Sequence, residues 1–343
     1  MRASRHFVDG RFQNLAKVAP GIKGNPLPLL GEYFFGGGQR TPPSALPIVN
    51  PAEAWARAPA TSFRVTWLGH STVLLEVDGV RILTDPVFGD RASPVSFAGP
   101  KRFHAVPAPI SALPALDLVL LSHDHYDHLC KASIIELAKL GVPIVTALGV
   151  GAHLESYGFA HERITELDWN EHYLSPTAGV RLTALPSQHF SGRGLNDRNA
   201  TLWASWVIET ERHRIFFSGD TGLFPELADI GRAHGPFDLA MLEVGAFHPS
   251  WGDIHLGPEN ALAANAMLGG GLLFPVHWGT FNLALHDWDE PAEILFRLAE
   301  VQRTPLFLPR LGAPTEPAHV ERPLPWWREV ARRENIELTP SRI

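Results

Sequence analysis

The sequence predicts an α/β fold in which β-sheets are covered by helices. Three apolar segments between residues 63 and 83 predict successive strands, and Asp78-Gly79 between the last two predicts a tight hairpin turn. The continuous apolar run at residues 116–121 is typical of a strand buried on both faces. Residues 131–140 have apolar side chains at helical spacing and end at Gly141. Strands that alternate with helices in this way are typical of α/β proteins.

The rest of the chain continues this pattern between two irregular ends. Pro258 and Pro291 suit the first turns of two helices, and further strands are expected at residues 180–185, 203–209, 214–217, 239–242 and 272–276. We predict a Pro/Gly-rich N-terminal arm at residues 1–60, a folded domain at 61–312 and a C-terminal tail at 313–343. The aromatic residues Tyr33, Phe34 and Phe35 predict that the arm docks on the domain, and Trp326-Trp327 predict a short packed helix in the tail.

Composition limits the classes of protein to consider. The 343 residues are 45% hydrophobic and carry a formal net charge of −7, which disfavours a nucleic-acid partner because such partners need a basic face. Cys130 is the only cysteine, so an internal disulfide is excluded, and a buried thiol is a simpler interpretation than a metal ligand. No signal-peptide core and no membrane-spanning apolar run are evident, which predicts a cytoplasmic protein. Peripheral membrane contact and a homodimer stay open.

The most informative motif follows the buried strand at residues 116–121. It has the spacing H-x-H-x-D-H and consists of His123, His125, Asp127 and His128. Imidazole nitrogens and carboxylate oxygens are preferred ligands of Zn²⁺ and related ions. Grouping them so tightly costs stability unless a cation holds them, because such groups resist burial without partners. The motif therefore predicts a metal site.

Three further donors each follow an apolar strand. They are His189, Asp220 and His277. Because these strands belong to a layered fold, we expect their ends to meet the H-x-H-x-D-H motif at one rim of the structure. Seven donors exceed the needs of one tetrahedral zinc and suit two metals that share a bridging carboxylate.

With these residues the chain resembles the metallo-β-lactamase superfamily, and within it the N-acyl-phosphatidylethanolamine-hydrolysing phospholipases D and their bacterial relatives. Outside the ligand motif, the resemblance rests on segments that include residues 66–72 (TWLGHST), 84–88 (TDPVF), 219–222 (GDTG) and 277–281 (HWGTF). It covers roughly residues 60–312. It implies a four-layer αββα sandwich with a two-zinc site between the sheets, so residues 61–312 would form the hydrolase domain.

The resemblance also implies roles for individual residues. One zinc would be held by His123, His125 and His189, and the other by Asp127, His128 and His277, with Asp220 bridging. Asp127, Asp220 and His255 would be the catalytic residues, although His255 alone is equally compatible with a histidine that faces water at a helix start. The implied reaction is hydrolysis of N-acyl-phosphatidylethanolamine-like phospholipids to phosphatidic acid and an N-acylethanolamine.

Alternative functions remain open at this point. A lactonase or another carbonyl hydrolase could use the same metal ligands, and a metal-binding module with a protein partner is a further alternative. A nuclease is disfavoured because the chain has no basic arm. Contact with lipid would need an apolar surface, for which the candidates are aromatic residues that could equally belong to the core: Phe247, Trp251, Phe281 and Trp288.

Overall fold

The computed structural model describes residues 4–18, 29, 31, 38–248, 250–320 and 322–331. The aromatic residues Tyr33, Phe34 and Phe35, expected to dock the arm, lie outside the described residues. The strands in chain order are β1 (Phe7–Val8), β2 (Arg11–Phe12), β3 (Phe63–Gly69), β4 (Thr72–Val77), β5 (Val80–Thr84), β6 (Leu118–Leu120), β7 (Ile144–Ala147), β8 (Ile164–Leu167), β9 (His172–Leu174), β10 (Arg181–Leu185), β11 (Ser205–Glu209), β12 (Arg214–Phe217), β13 (Leu239–Glu243), β14 (Leu273–Val276) and β15 (Pro314–Thr315).

The helices lie mostly between the strands. In chain order they are α1 (Ala52–Trp55), α2 (Lys131–Ala138), α3 (Gly151–Ser156), α4 (Leu227–His234), α5 (Gly257–Met267), α6 (Glu290–Gln302) and α7 (Trp327–Ala331). The helices predicted at residues 131–140 and at the two prolines are confirmed as α2, α5 and α6. Pro258 and Pro291 each stand in the first turn, where a missing N–H costs no helical hydrogen bond.

Two mixed sheets form the centre of the molecule. One has the strand order β15-β3-β4-β5-β6-β7-β8 and the other β14-β13-β12-β11-β10-β9. The predicted hairpin joins β4 and β5, and Asp78 and Gly79 both have positive φ, at 49° and 84°, as a two-residue turn of the favoured twist requires.

Side chains that point alternately to opposite faces of each sheet separate the core between the sheets from the outer layers of helices. In β4, Val73 and Leu75 point into the core between the sheets, whereas Leu74 points outward and packs in the cluster that contains Ile134 and Leu137 of α2. On the second sheet, α5 packs against β13 and α6 packs against α5. The predicted αββα sandwich is confirmed.

Strand direction explains why polar residues collect at one rim. In the first sheet β3, β5 and β6 run in one direction, and in the second sheet β10, β12, β13 and β14 do the same. The residues that follow these strands therefore emerge at a common edge of each sheet. The candidate metal ligands are all found there.

Both ends of the described chain pack on the sandwich. In the N-terminal arm, β1 and β2 form a small hairpin that buries Phe12. In the tail, β15 pairs antiparallel with β3, and Trp326 and Trp327 are buried with their ring centroids 5.6 and 5.3 Å from that of Trp278. The predicted short helix is confirmed as α7. Within the described part of the chain, no helix combines the length and apolarity needed to cross a bilayer.

Candidate metal centre

Four of the predicted ligands form a compact cluster at this rim. His123, His125, His189 and Asp220 place one donor atom each within 4.8 Å of one another. His125 Nδ1 lies 2.9 Å from His123 Nε2 and 3.2 Å from His189 Nε2. Asp220 Oδ2 is 3.8 Å from His123 Nε2 and 3.7 Å from His189 Nε2. Three imidazoles and one carboxylate oxygen in this arrangement suit a tetrahedral ion such as zinc.

The remaining predicted ligands form a second cluster. Asp127 Oδ2 lies 3.2 Å from His277 Nε2 and 3.6 Å from His128 Nε2. His70, which was not predicted, joins them with its Nε2 3.0 Å from the same Asp127 oxygen. Burial, together with the nearby His277, lowers the pKa of His70 to about 3, so its ring is neutral. The second cluster therefore contains three imidazoles and a carboxylate.

Asp220 contacts both clusters. Its Oδ1 lies 3.1 Å from His128 Nε2, and its Oδ2 lies 3.2 Å from His277 Nε2 and 3.7 Å from His189 Nε2. The side chain is buried. This is the position expected of a carboxylate that bridges two ions. All seven predicted ligands are brought together, and their binding of metal stays a prediction.

Unpartnered buried atoms test whether these residues fit a metal. His128 Nε2 and Asp220 Oδ1 are 3.1 Å apart but not aligned as a hydrogen bond, and neither atom has a hydrogen-bond partner among the described residues. Buried polar atoms in folded proteins nearly always have one. A cation between them would satisfy both lone pairs, so the donor set fits a metal.

The charges in the second cluster support the same conclusion. Burial alone would raise the pKa of Asp220, but His128 and His277 hold it well below its usual value. Burial alone would lower the pKa of His277, but Asp220 and Asp127 raise it to about 10. In the absence of a metal, a proton on His277 thus balances the carboxylates, and a divalent cation would displace that proton.

Hydrogen bonds at the opposite ring nitrogen fix two of the imidazoles. Asp85 accepts hydrogen bonds from His128 Nδ1 at 2.6 Å and from the backbone N–H and hydroxyl of Ser122 at 2.7 and 2.6 Å. Because the Ser122 hydroxyl donates to Asp85, its oxygen accepts the Nδ1 hydrogen of His123, 2.9 Å away. Both histidines therefore direct Nε2 toward the clusters, as metal ligands with outer hydrogen-bond partners do.

His189 is held partly by the N-terminal arm. Its Nδ1 donates to the carbonyl of Ile254 at 2.8 Å, which leaves Nε2 as the donor atom for a metal. Asn14 donates to the carbonyl of His189 at 2.8 Å and accepts its N–H at 3.1 Å, so the side-chain amide pairs with the backbone of this predicted ligand. The indole N–H of Trp203 also donates to Asn14, at 3.1 Å.

His255, the third predicted catalytic residue, lies beside the clusters with its ring centroid 5.5 Å from that of His277. Its Nδ1 lies 2.8 Å from Glu243 Oε2, and Glu243 Oε1 accepts the backbone N–H groups of Thr221 and Leu256 at 2.9 and 3.1 Å. Burial alone would lower the pKa of His255, but the Glu243 carboxylate raises it. Glu243 therefore orients His255 and favours its protonated form.

The clusters form part of the wall of a cavity of about 340 Å³. His125, Asp127 and Asp220 line it, and the rest of the wall includes Phe190, Arg198, Ala246, Trp251, Ile254 and Leu283. Of the four aromatic residues considered for lipid contact, Trp251 lines this cavity and Phe247 lines an adjoining one of about 320 Å³. Phe281 and Trp288 are buried and belong to the core.

Sequence reasoning missed His70, Asp85, Glu243 and Asn14. The first three obey the rule that identified the predicted ligands, because they stand at the ends of β3, β5 and β13, where an apolar strand gives way to a polar side chain. Applying the rule to every strand would have found them. Asn14 carries no such signal, since its partner lies 175 positions away in the chain.

Comparison with known proteins agrees with the geometry. The family described as "Beta-lactamase superfamily domain" matches residues 80–278, more than half of the chain. An uncharacterised protein of Mycobacterium tuberculosis is 45% identical over 291 residues, which are 84% of this chain and 77% of that protein. The N-acyl-phosphatidylethanolamine-hydrolyzing phospholipase D 1 of Caenorhabditis elegans is 37% identical over 248 residues, 69% of this chain and 70% of that one.

A solved structure supports the fold. Igni18, a metallo hydrolase from the archaeon Ignicoccus hospitalis, superposes with a TM-score of 0.56 at 22% identity, covering 74% of this chain and 97% of that one. The αββα layers, the donors at one rim and the match over residues 80–278 lead to one assignment. The chain belongs to the metallo-β-lactamase superfamily of metal-dependent hydrolases.

Proposed function

We propose that this protein is a two-zinc phosphodiesterase of the phospholipase D type, which hydrolyses N-acyl-phosphatidylethanolamine-like phospholipids to phosphatidic acid and an N-acylethanolamine. The observation that carries the proposal is the position of Asp220, whose carboxylate contacts both donor clusters at the wall of one cavity. The relative from Caenorhabditis elegans, whose name describes this activity, supports the choice of substrate class.

The residues divide into two sets of ligands. One ion would be held by His123, His125 and His189, and the other by Asp127, His128 and His277. Both ions would be held by Asp220. When bound, a zinc pair would supply ionised water at neutral pH and positive charge for the phosphate oxygens.

The protein's own groups would complete the reaction. Asp220 and Asp127 would orient the reacting centre, while Phe190, Ile254 and Leu283, which line the same cavity, would exclude water from it. Water adds to phosphorus and the bond from phosphorus to the ethanolamine oxygen breaks. His255, whose Nδ1 is tied to Glu243, donates the proton on Nε2 to the departing alkoxide.

Hydrolysis in ¹⁸O-water tests the proposal. With N-acyl-phosphatidylethanolamine in mixed vesicles, the label is expected in phosphatidic acid, because the attacked atom is phosphorus. Label in a released fatty acid would instead assign attack on a carbonyl carbon and overturn the phosphodiesterase proposal.

One control accompanies this experiment. Asp127→Ala is expected to abolish turnover. If the protein were only a metal-containing module that binds a protein partner, the unsubstituted protein would show no hydrolysis either.

Because the substrate resides in bilayers, we also propose peripheral contact with a membrane surface. Co-sedimentation with vesicles that contain the substrate, compared with vesicles that lack it, tests this contact.

A further inference from the structure

His70 occupies a strained and closely held position at the end of β3. Its φ of 54° lies in the left-handed region that non-glycine residues rarely adopt. The backbone N–H donates to Thr280 Oγ1 at 2.7 Å, and the carbonyl accepts the N–H groups of Trp67 Nε1 at 2.8 Å and His277 at 3.2 Å. Strain that surrounding contacts maintain in this way is typical of functional positions.

The side chain of His70 points into the second donor cluster. Its Nε2 lies 3.0 Å from Asp127 Oδ2, and its ring centroid lies 4.0 Å from that of His277. The ring also packs edge-on against Phe281, with the centroids 5.4 Å apart. The residue is therefore either a further metal ligand or a hydrogen-bond donor to Asp127.

The second ring nitrogen distinguishes these two roles. A histidine that binds a metal through one nitrogen almost always donates the hydrogen of the other to a protein group. Nδ1 of His123 and of His128 has such a partner. Nδ1 of His277 makes no hydrogen bond among the described residues, but it faces a carboxylate, with Glu243 Oε2 3.8 Å away. Nδ1 of His70 is buried and has no hydrogen-bond partner among the described residues. A hydrogen on that atom would be unsatisfied, so the hydrogen belongs on Nε2.

The geometry points to His70 as a positioning residue, whose Nε2–H donates to Asp127 and sets the orientation of that carboxylate at the second metal position. This inference rests on the proposed two-metal function. His70 also holds the backbone of His277 through its carbonyl. One residue of the first sheet thus fixes the placement of two ligands that arise from different sheets.

Three variants of the full-length protein test the role. His70→Gln keeps an N–H donor for Asp127 but is a poor zinc ligand, and His70→Leu keeps neither property. His213→Gln is the matched control, because His213 also contacts an aspartate at 3.0 Å, Asp78, at the opposite end of the sheet. Zinc equivalents per chain, zinc affinity by chelator competition and the absorption spectrum of the cobalt(II)-loaded protein are measured, with thermal unfolding followed in parallel.

A positioning role predicts that His70→Gln binds two metals with the cobalt spectrum of the unsubstituted protein, while His70→Leu loses roughly 10- to 100-fold in affinity at the second position only. If His70 is a ligand, His70→Gln also loses the second metal and its cobalt spectrum changes, which overturns the inference. If both variants lower only the melting temperature and leave metal binding unchanged, the role is structural and the inference is wrong.

Two further outcomes are also decisive. Should His70→Leu fail to fold, the cobalt spectrum of His70→Gln alone distinguishes a donor from a ligand. One zinc equivalent in the unsubstituted protein would contradict the proposed two-metal function itself, and it would be seen before any variant is compared.

Discussion

Asp85 offers a direct test of how the second metal position is supported. The buried carboxylate accepts three hydrogen bonds, one from His128 Nδ1 and two from Ser122, all between 2.6 and 2.7 Å. Asp85→Asn keeps the size of the side chain but removes its charge and replaces one acceptor oxygen with an NH₂ group. We expect the imidazole of His128 to lose its fixed tautomer and orientation, so zinc at the second position should bind more weakly.

The magnitude follows from the bond that is lost. A hydrogen bond to a charged group contributes about 1.5–3 kcal/mol. Since about 1.4 kcal/mol corresponds to a tenfold change in affinity, the expected loss is roughly 10- to 100-fold. Removing an outer hydrogen-bond partner of a metal-binding histidine typically costs the same range, about 10- to 100-fold.

Competition with a chromophoric chelator measures this loss for each zinc equivalent. Asp124→Asn is the matched control. Asp124, like Asp85, is a buried carboxylate, but it lies within the H-x-H-x-D-H motif and accepts its hydrogen bonds from Gly192 and Thr201. The control should keep the affinity of the second zinc. The reasoning would be refuted if the second zinc bound to Asp85→Asn with an affinity within about threefold of that of the unsubstituted protein, which corresponds to a loss of binding free energy below ~0.7 kcal/mol.

Three other predictions follow from the site. Glu243→Gln removes the charge that raises the pKa of His255, so the alkaline limb of the pH–rate profile should move to lower pH; an unchanged limb would contradict the role of His255 as the acid. Asn14→Ala should lower stability by about 1–3 kcal/mol, because the backbone groups of His189 lose their partner, and denaturant unfolding measures this. Chelation of the metals should lower the melting temperature, and a melting temperature that does not change with chelator would count against a buried metal centre. For the same site, zinc affinity should fall as the pH decreases, because protons compete for the imidazoles.

Much of the fold could be predicted because its central strands are apolar and buried. The run that contains β6 and the segment that contains β4 have the burial that their sequences indicate. The edge strands carry no such signal. β15 consists of Pro314 and Thr315 and becomes a strand only by pairing with β3, while β9 has only three residues and no buried one. Pairing across long chain separations is a tertiary effect that local sequence does not encode.

In the site, too, some features could be predicted from local sequence and others depend on tertiary contacts. The predicted ligands could be located because each follows an apolar strand, and the structure brings all of them to one rim. Their supports are harder to predict, because a role such as that of Asp85 depends on which atom faces which. Asp85 and Asp127 are chemically alike in the sequence, yet the first contacts the outer nitrogen of His128 and the second lies within its donor cluster.

Donors from both sheets would bind the same ions, and this affects how the protein unfolds. His123 and His125 arise from one layer, whereas His189 and Asp220 arise from the other. A loaded ion would cross-link the layers much as a disulfide joins two distant segments. Dissociation of the ion and separation of the layers would then share one barrier, so the loaded protein should resist proteolysis and slow heating far longer than its equilibrium stability alone requires.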